Sequence, residues 1–342
     1  MGDHVLGVIQ AVADTDYSAN HLGLKHLRNR NPCDCDWCQA DDVDGSPLKY
    51  SNFREGALWQ VSVFTMEQWK NNVTPHPLWE AHVLIGITIF CICLDILHVM
   101  DLGINMYFLG SVVWTLVHDS NLPGPFEARA EHVWNLFHQA QLSCGVPRQS
   151  LLAREDWFNT FGRQTGPNPT DFPELSAKAA KMHHAVRPML LVCQQVQAAQ
   201  GLDRDEDNHR ATALQSLTEF YKVLREAGHT LNDAQLVRAI DAADKFLLHQ
   251  NALSMIYWRR KRKLFNITFK SHLFWHLSRM CRWFNPQHGW AFRDESFVGR
   301  VAKVMTSVVK GGGAMQLGTT LAAKWRHLQW FRMRRREGAV FA

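Results

Sequence analysis

The rhythm of apolar and polar positions changes twice along this chain. Residues 5–13 form a short apolar run that ends at Asp14, with Asp16 close behind. Residues 20–47 are rich in Asn, Asp and Cys and read as loop, and residues 57–65 read as a strand. Pro75, His76 and Pro77 mark a turn. The run from Ile85 to Leu94 is short, β-branched and unbroken, which predicts a buried strand. It stops abruptly at Asp95, and a helix is expected from about 96 to 117. Asn121-Leu-Pro-Gly-Pro125 then breaks the chain.

From 126 to about 257 the period becomes helical. Residues 175–200, 211–227 and 232–251 are dominated by Ala, Leu, Gln and Glu, and Gly, Pro or acidic breaks separate them. At Trp258 the character shifts again, to Trp-Arg-Arg-Lys-Arg-Lys and a stretch mixing aromatic, basic and histidine residues. Residues 294–310 keep Phe297, Val301, Val304, Met305 and Val308 on one face of a predicted helix. Three regions follow: 1–125, an all-α block at 126–257, and a basic region at 258–342.

Composition changes this picture only in part. With 46% hydrophobic and 20% charged residues, 13 Trp and 19 Phe, the chain is an ordinary folded protein. The apolar runs at 83–94 and 106–117 are each too short to cross a bilayer, so no membrane partner is expected. The start of the chain lacks the basic and apolar regions of a signal peptide. Eight cysteines are sparse for this length, pointing to a reducing compartment, nuclear or cytoplasmic. Charge is more telling. Residues 258–342 hold 18 Lys and Arg against 3 Asp and Glu, a balance of +15, while the rest of the chain balances at −10. Such segregation predicts that the C-terminal quarter meets a polyanion, with DNA as the expected partner.

Four groups of residues carry candidate chemistry. Asp14, Asp95 and Glu295 stand at element ends, where carboxylates can hold Mg²⁺ or Mn²⁺ for a phosphodiester substitution. Asp95 equally suits a helix cap, and Glu295 a first-turn acid that needs no metal. Cys35 and Cys38 have the spacing of one edge of a tetrahedral zinc site. Cys33, His21 and His26 are the nearby candidates to complete it, and free thiols are the alternative. Lys270, His272 and His276 place two histidines on one helix face, as in metal-binding pairs; Lys270 and His272 could also contact phosphate. Finally, Arg259, Arg260, Lys261, Arg262 and Lys263, with Arg334, Arg335 and Arg336 in the tail, form clusters able to neutralise phosphates. A nuclear-localisation signal or a solvated face would look the same.

Taken in order, these pieces resemble a DDE/D transposase, most closely the CACTA-type and Plavaka-like eukaryotic transposases. Asp14, the Asn20-to-Gly23 turn, Cys35-x-x-Cys38, Asp95-x-x-His98 with Asp101-Leu-Gly103, Lys270-x-His272 with His276, and Glu295 follow that family's order. The resemblance implies an α/β, RNase H-like mixed-sheet core interrupted by an all-α insertion. It implies Asp14 and Glu295 as catalytic metal ligands, with Asp95 and His98 accessory. In the family a first catalytic Asp lies on a strand well upstream, but only 13 residues precede Asp14. An N-terminally shortened chain with an incomplete site is therefore expected, one that binds DNA and cleaves it little or not at all. Two alternatives stay open: an active metal-dependent nuclease or transposase whose third ligand comes from Asp16, Asp95 or another copy in a homo-oligomer, and a helical scaffold whose basic tail serves RNA binding or nuclear import.

Overall fold

The computed structural model describes residues 11–13, 35–65, 67–68, 92–162, 164–201 and 204–289. The chain divides into two compact units, Met1–Trp290 and Ala291–Ala342, and all described residues fall in the first.

Helix dominates. In order come β1 (Ala11–Ala13), α1 (Leu58–Val61) and β2 (Ile92–Leu94), then a π-helical segment, Leu97–Ile104, running directly into α2 (Asn105–His118). They are followed by α3 (Phe126–Ser143), α4 (Arg154–Asn159), α5 (Ala179–Gln200), α6 (Asp205–Glu226), α7 (Asp233–Arg259) and α8 (Phe269–Met280). Among the described residues the only strand pairing is β1 on β2, parallel, with Ala11 opposite Ile92 and Ala13 opposite Leu94.

This overturns the α/β reading: the described residues are mostly helical and form no RNase H-like mixed sheet. One local choice shows where the pattern misled. The stretch expected as a strand at 57–65 opens instead with the helical turn of α1. Trp59 is wholly buried there while Leu58 and Val61 face outward, so a single large side chain anchors the segment rather than an alternating face. The β-branched run before Asp95 is strand where it is described, Ile92–Leu94, and the apolar stretch after it is helix, both as expected.

That helix lies deep in the described core. From Phe108 to Val117 every residue of α2 is buried, as expected of a helix that is apolar all round. Leu97–His118 is long and apolar enough to cross a membrane by length and composition, and 83% of its most apolar 18 residues are buried inside the protein. Gly110 lets a loop cross it closely: a Cβ there would fall 2.5 Å from the Pro173 carbonyl oxygen. Leu175 N–H donates to the Met106 carbonyl at 3.0 Å in the same crossing.

Helices α6 and α7 form the other large layer. Asn232 and Gln235 cap α7 reciprocally, each side chain accepting the other's backbone N–H at 2.9 and 3.0 Å. Three acids, Asp205, Glu206 and Asp207, open α6, where the helix dipole favours them. An aromatic seam joins the layers: Phe108 meets Phe246 and Phe265, and Phe274 meets Phe220 and Phe246, with ring centroids 4.9–6.0 Å apart. Phe274 belongs to α8, so the seam fixes the helix that carries His272 and His276.

Candidate metal centre

Helix α8 is buried almost all round: Ser271 through Ser278 are all inaccessible. His272 and His276 are one turn apart and share the face that meets residues 35–65. That segment folds over them through its aromatics. Trp59 packs edge-on against His272 at 4.4 Å and against Trp275 at 4.8 Å, and Trp37 lies 5.9 Å from His276. Trp59 is held by its indole N–H, which donates to the Asn52 carbonyl at 2.7 Å.

This packing delivers Cys35 and Cys38 to the histidines. Cys35 Sγ is 3.5 Å from His276 Nε2, Cys38 Sγ is 3.4 Å from His272 Nε2, and the two Nε2 atoms are 3.1 Å apart. All four ligand atoms lie within 4.8 Å of one another, and all four residues are buried. Tetrahedral zinc, with Zn–S near 2.3 Å and Zn–N near 2.05 Å, requires S···N edges of about 3.5 Å and an N···N edge of about 3.3 Å. These three edges fit that figure within a few tenths of an ångström.

The electrostatics suit the same use. Burial pushes His276 down to about 4, which keeps it as the neutral imidazole that ligates metals. Hydrogen bonds from Cys35 and the histidines hold the Cys38 thiol well below its usual value, while burial raises Cys35. The pair alone therefore carries one negative charge easily and a second only with difficulty. A divalent cation between the sulfurs removes that obstacle. Trp37 N–H donates to Cys35 Sγ at 3.4 Å, a backbone contact that steadies the thiolate. His272 Nδ1 is buried without a hydrogen-bond partner, so packing rather than an outer hydrogen bond orients that ring.

The expected zinc set is thereby revised. Cys33, His21 and His26 lie outside the described residues, and four donors are complete without them. His272, read as a phosphate contact, is turned inward against a cysteine. The sequence marked both halves, Cys-x-x-Cys and His-x₃-His, but nothing in it announced that they meet.

The π-helical segment that follows Asp95 and carries His98 packs on α8. His98 Nδ1 donates to Asp95 Oδ2 at 2.6 Å, and Leu97 N–H donates to Asp95 Oδ1 at 3.0 Å. Asp95 is thus a helix cap and the partner of His98. Lys270 reaches across to the Leu102 carbonyl at 3.3 Å, and a Cβ at Gly103 would fall 2.5 Å from Lys270 Cδ. Asp14, Glu295 and the tail arginines Arg334, Arg335 and Arg336 lie outside the described residues. The Mg²⁺ or Mn²⁺ site expected from Asp14 and Glu295 has no support among the described ones.

The basic run at 259–263 also divides. Arg262 is sunk against Asp119 at 2.8 Å and the Pro167 carbonyl at 2.6 Å. Arg260 pairs with Glu206 at 3.0 Å, and Lys263 donates to the Thr170 carbonyl at 2.7 Å. These three hold the end of α7 to α2, α6 and the loop before α5. Arg259 and Lys261 are exposed, and no described residue forms an ion pair with either.

Comparison with protein-family models, with curated proteins and with solved structures finds no match to this chain.

Proposed function

We propose that this chain is a zinc-stapled helical protein that binds DNA, descended from a DDE/D transposase of the CACTA type. The observation that carries the zinc half is the closed donor set of Cys35, Cys38, His272 and His276. Two thiolates and two imidazoles are the ligands zinc prefers, and softer and harder ions favour other sets. Four buried protein ligands leave no open position for a reacting water, so the ion's work is structural. It ties residues 35–65 to α8.

The DNA half rests on charge. The balance of +15 over residues 258–342 is the footprint of a phosphate-binding region. Transposase descent is supported by the order of the motifs and by their meeting in space: Cys-x-x-Cys, Asp-x-x-His and Lys-x-His-x₃-His come from three separate stretches and pack around one helix. The reading assigns no cleavage step to the described residues.

Two measurements test it on the purified full chain. Elemental analysis is expected to give one zinc per chain, and fluorescence anisotropy to show binding to labelled duplex DNA that weakens steeply with salt. A metal-free protein with all thiols readily alkylated overturns the zinc half. Absence of DNA binding at low salt overturns the other.

A further inference from the structure

Trp258 is 73% exposed at the penultimate position of the 27-residue helix α7. An indole left in water on a well-packed helix is uncommon, and its setting here is specific. The neighbouring Tyr257 is wholly buried, with its hydroxyl donating to Asp119 at 2.9 Å. The turn after Trp258 is fixed by Lys261 N–H to the Trp258 carbonyl and Arg262 N–H to the Tyr257 carbonyl, both at 2.9 Å. Arg262 and Arg260 lock that turn to Asp119 and Glu206. Trp258 is therefore presented on a rigid frame, and Arg259 and Lys261, the two cations of the run that pair with no acid among the described residues, lie beside it in the chain. Met255, 46% exposed, lies one turn earlier.

We propose that Trp258, Arg259 and Lys261 form a stacking site for an unpaired base of single-stranded nucleic acid. The inference rests on the DNA-binding reading above and names the form of nucleic acid this surface takes. Every base offers a π-face to an exposed indole, and adjacent phosphates need cations at the spacing of neighbouring residues. In a duplex the base faces are already stacked, so the indole would contribute nothing there. The flanking positive charge selects a polyanion over an apolar protein surface.

The test uses the full zinc-loaded chain and four proteins: wild type, Trp258→Ala, Trp258→Phe and the double variant Arg259→Ala/Lys261→Ala. All three positions are exposed, so the variants are expected to fold, which circular dichroism checks. Anisotropy is measured with a labelled 15-nucleotide oligo(dT) and with a duplex of the same length, at several salt concentrations. Trp258→Ala is expected to weaken oligo(dT) binding by roughly 5- to 100-fold and duplex binding by less than about twofold. Trp258→Phe should recover most of the loss. The double variant should flatten the salt dependence for oligo(dT) by about one unit of slope or slightly more. If wild type binds DNA but Trp258→Ala matches it on oligo(dT), the inference falls and the DNA-binding reading stands. If wild type binds neither probe, both fall. If instead anionic phospholipid vesicles bind in a Trp258-dependent way while oligo(dT) does not, the surface serves a membrane and the inference is overturned.

Discussion

Cys38 Sγ lies 3.4 Å from His272 Nε2, although 234 residues separate them in the chain. Burying a thiol against an imidazole at the junction of two distant segments suits a shared metal-ligand set. The contact is also one of few anchors for residues 35–65, whose large buried side chains are Trp37, Phe53 and Trp59.

Removing the metal should therefore loosen that segment first. Cys38→Ser or His276→Ala is expected to abolish bound zinc and lower stability by several kcal/mol, part of the roughly 10–16 kcal/mol that structural zinc supplies to small domains. A strong chelator should do the same to wild type. Hydrogen exchange checks the location: protection should be lost over 35–65 and α8 before the α6–α7 pair. Cobalt substitution should give the absorption of a tetrahedral thiolate site.

Gly110 and Gly166 make a matched pair. At Gly110 a Cβ would meet backbone, the Pro173 carbonyl oxygen at 2.5 Å and Leu175 N at 2.8 Å. Gly110→Ala should cost about 1–3 kcal/mol, because the crossing loop must shift off α2. At Gly166 nothing lies within 4 Å, and Gly166→Ala should stay within about 0.5 kcal/mol of wild type. Urea unfolding midpoints distinguish the two.

Arg262 and Arg259 look alike in sequence and should behave oppositely. Arg262→Ala strands a largely buried Asp119 carboxylate and is expected to cost about 3–5 kcal/mol. Arg259→Ala should leave thermal stability unchanged and weaken nucleic-acid binding alone. Calorimetry and anisotropy on the same two proteins separate these roles.

His118 gives the fold an acid-sensitive point. Burial against Trp114 and Phe126, with Arg129 and Arg262 nearby, pushes it down to about 4 from an ordinary value near 6.5. The unfolded chain therefore binds this proton more readily than the folded one. Its contribution is fully present above about pH 6.5 and is lost as pH falls towards 4. The difference in unfolding midpoint between wild type and His118→Phe should narrow or reverse over that interval and be constant above pH 7.

The helices were the legible part of this sequence. The expected helices at 211–227 and 232–251 appear as Asp205–Glu226 and Asp233–Arg259, since apolar periodicity and an Asn-x-x-Gln cap report on local structure. The strand expectations divided: Ile92–Leu94 is strand, whereas 57–65 opens with a helical turn. A β-branched run and a buried helix share the same unbroken apolar pattern, and only packing decides between them. The metal centre was half visible. Cys35-x-x-Cys38 and His272-x₃-His276 each announced a ligand pair, yet proximity in sequence favoured His21, His26 and Cys33 as partners. What joins the real halves is the burial of Trp59 on α8, a tertiary event with no local signature. The basic run at 259–263 failed differently: charge counting does not distinguish Arg262, spent on Asp119, from Arg259, left in water.

The separation of the two ligand pairs also sets an order of events during synthesis. When Cys35 and Cys38 leave the ribosome, their histidine partners are not yet made, and the whole helical block from α2 to α7 must be translated first. Until residue 276 emerges, the early segment has two thiols and no site. The nascent chain must carry its cysteines reduced, and its tryptophans uncovered, for most of its own production. At about 5–20 residues per second that interval is roughly 10–50 s. Oxidants and chaperones would act on this protein then, before the metal has a place to go.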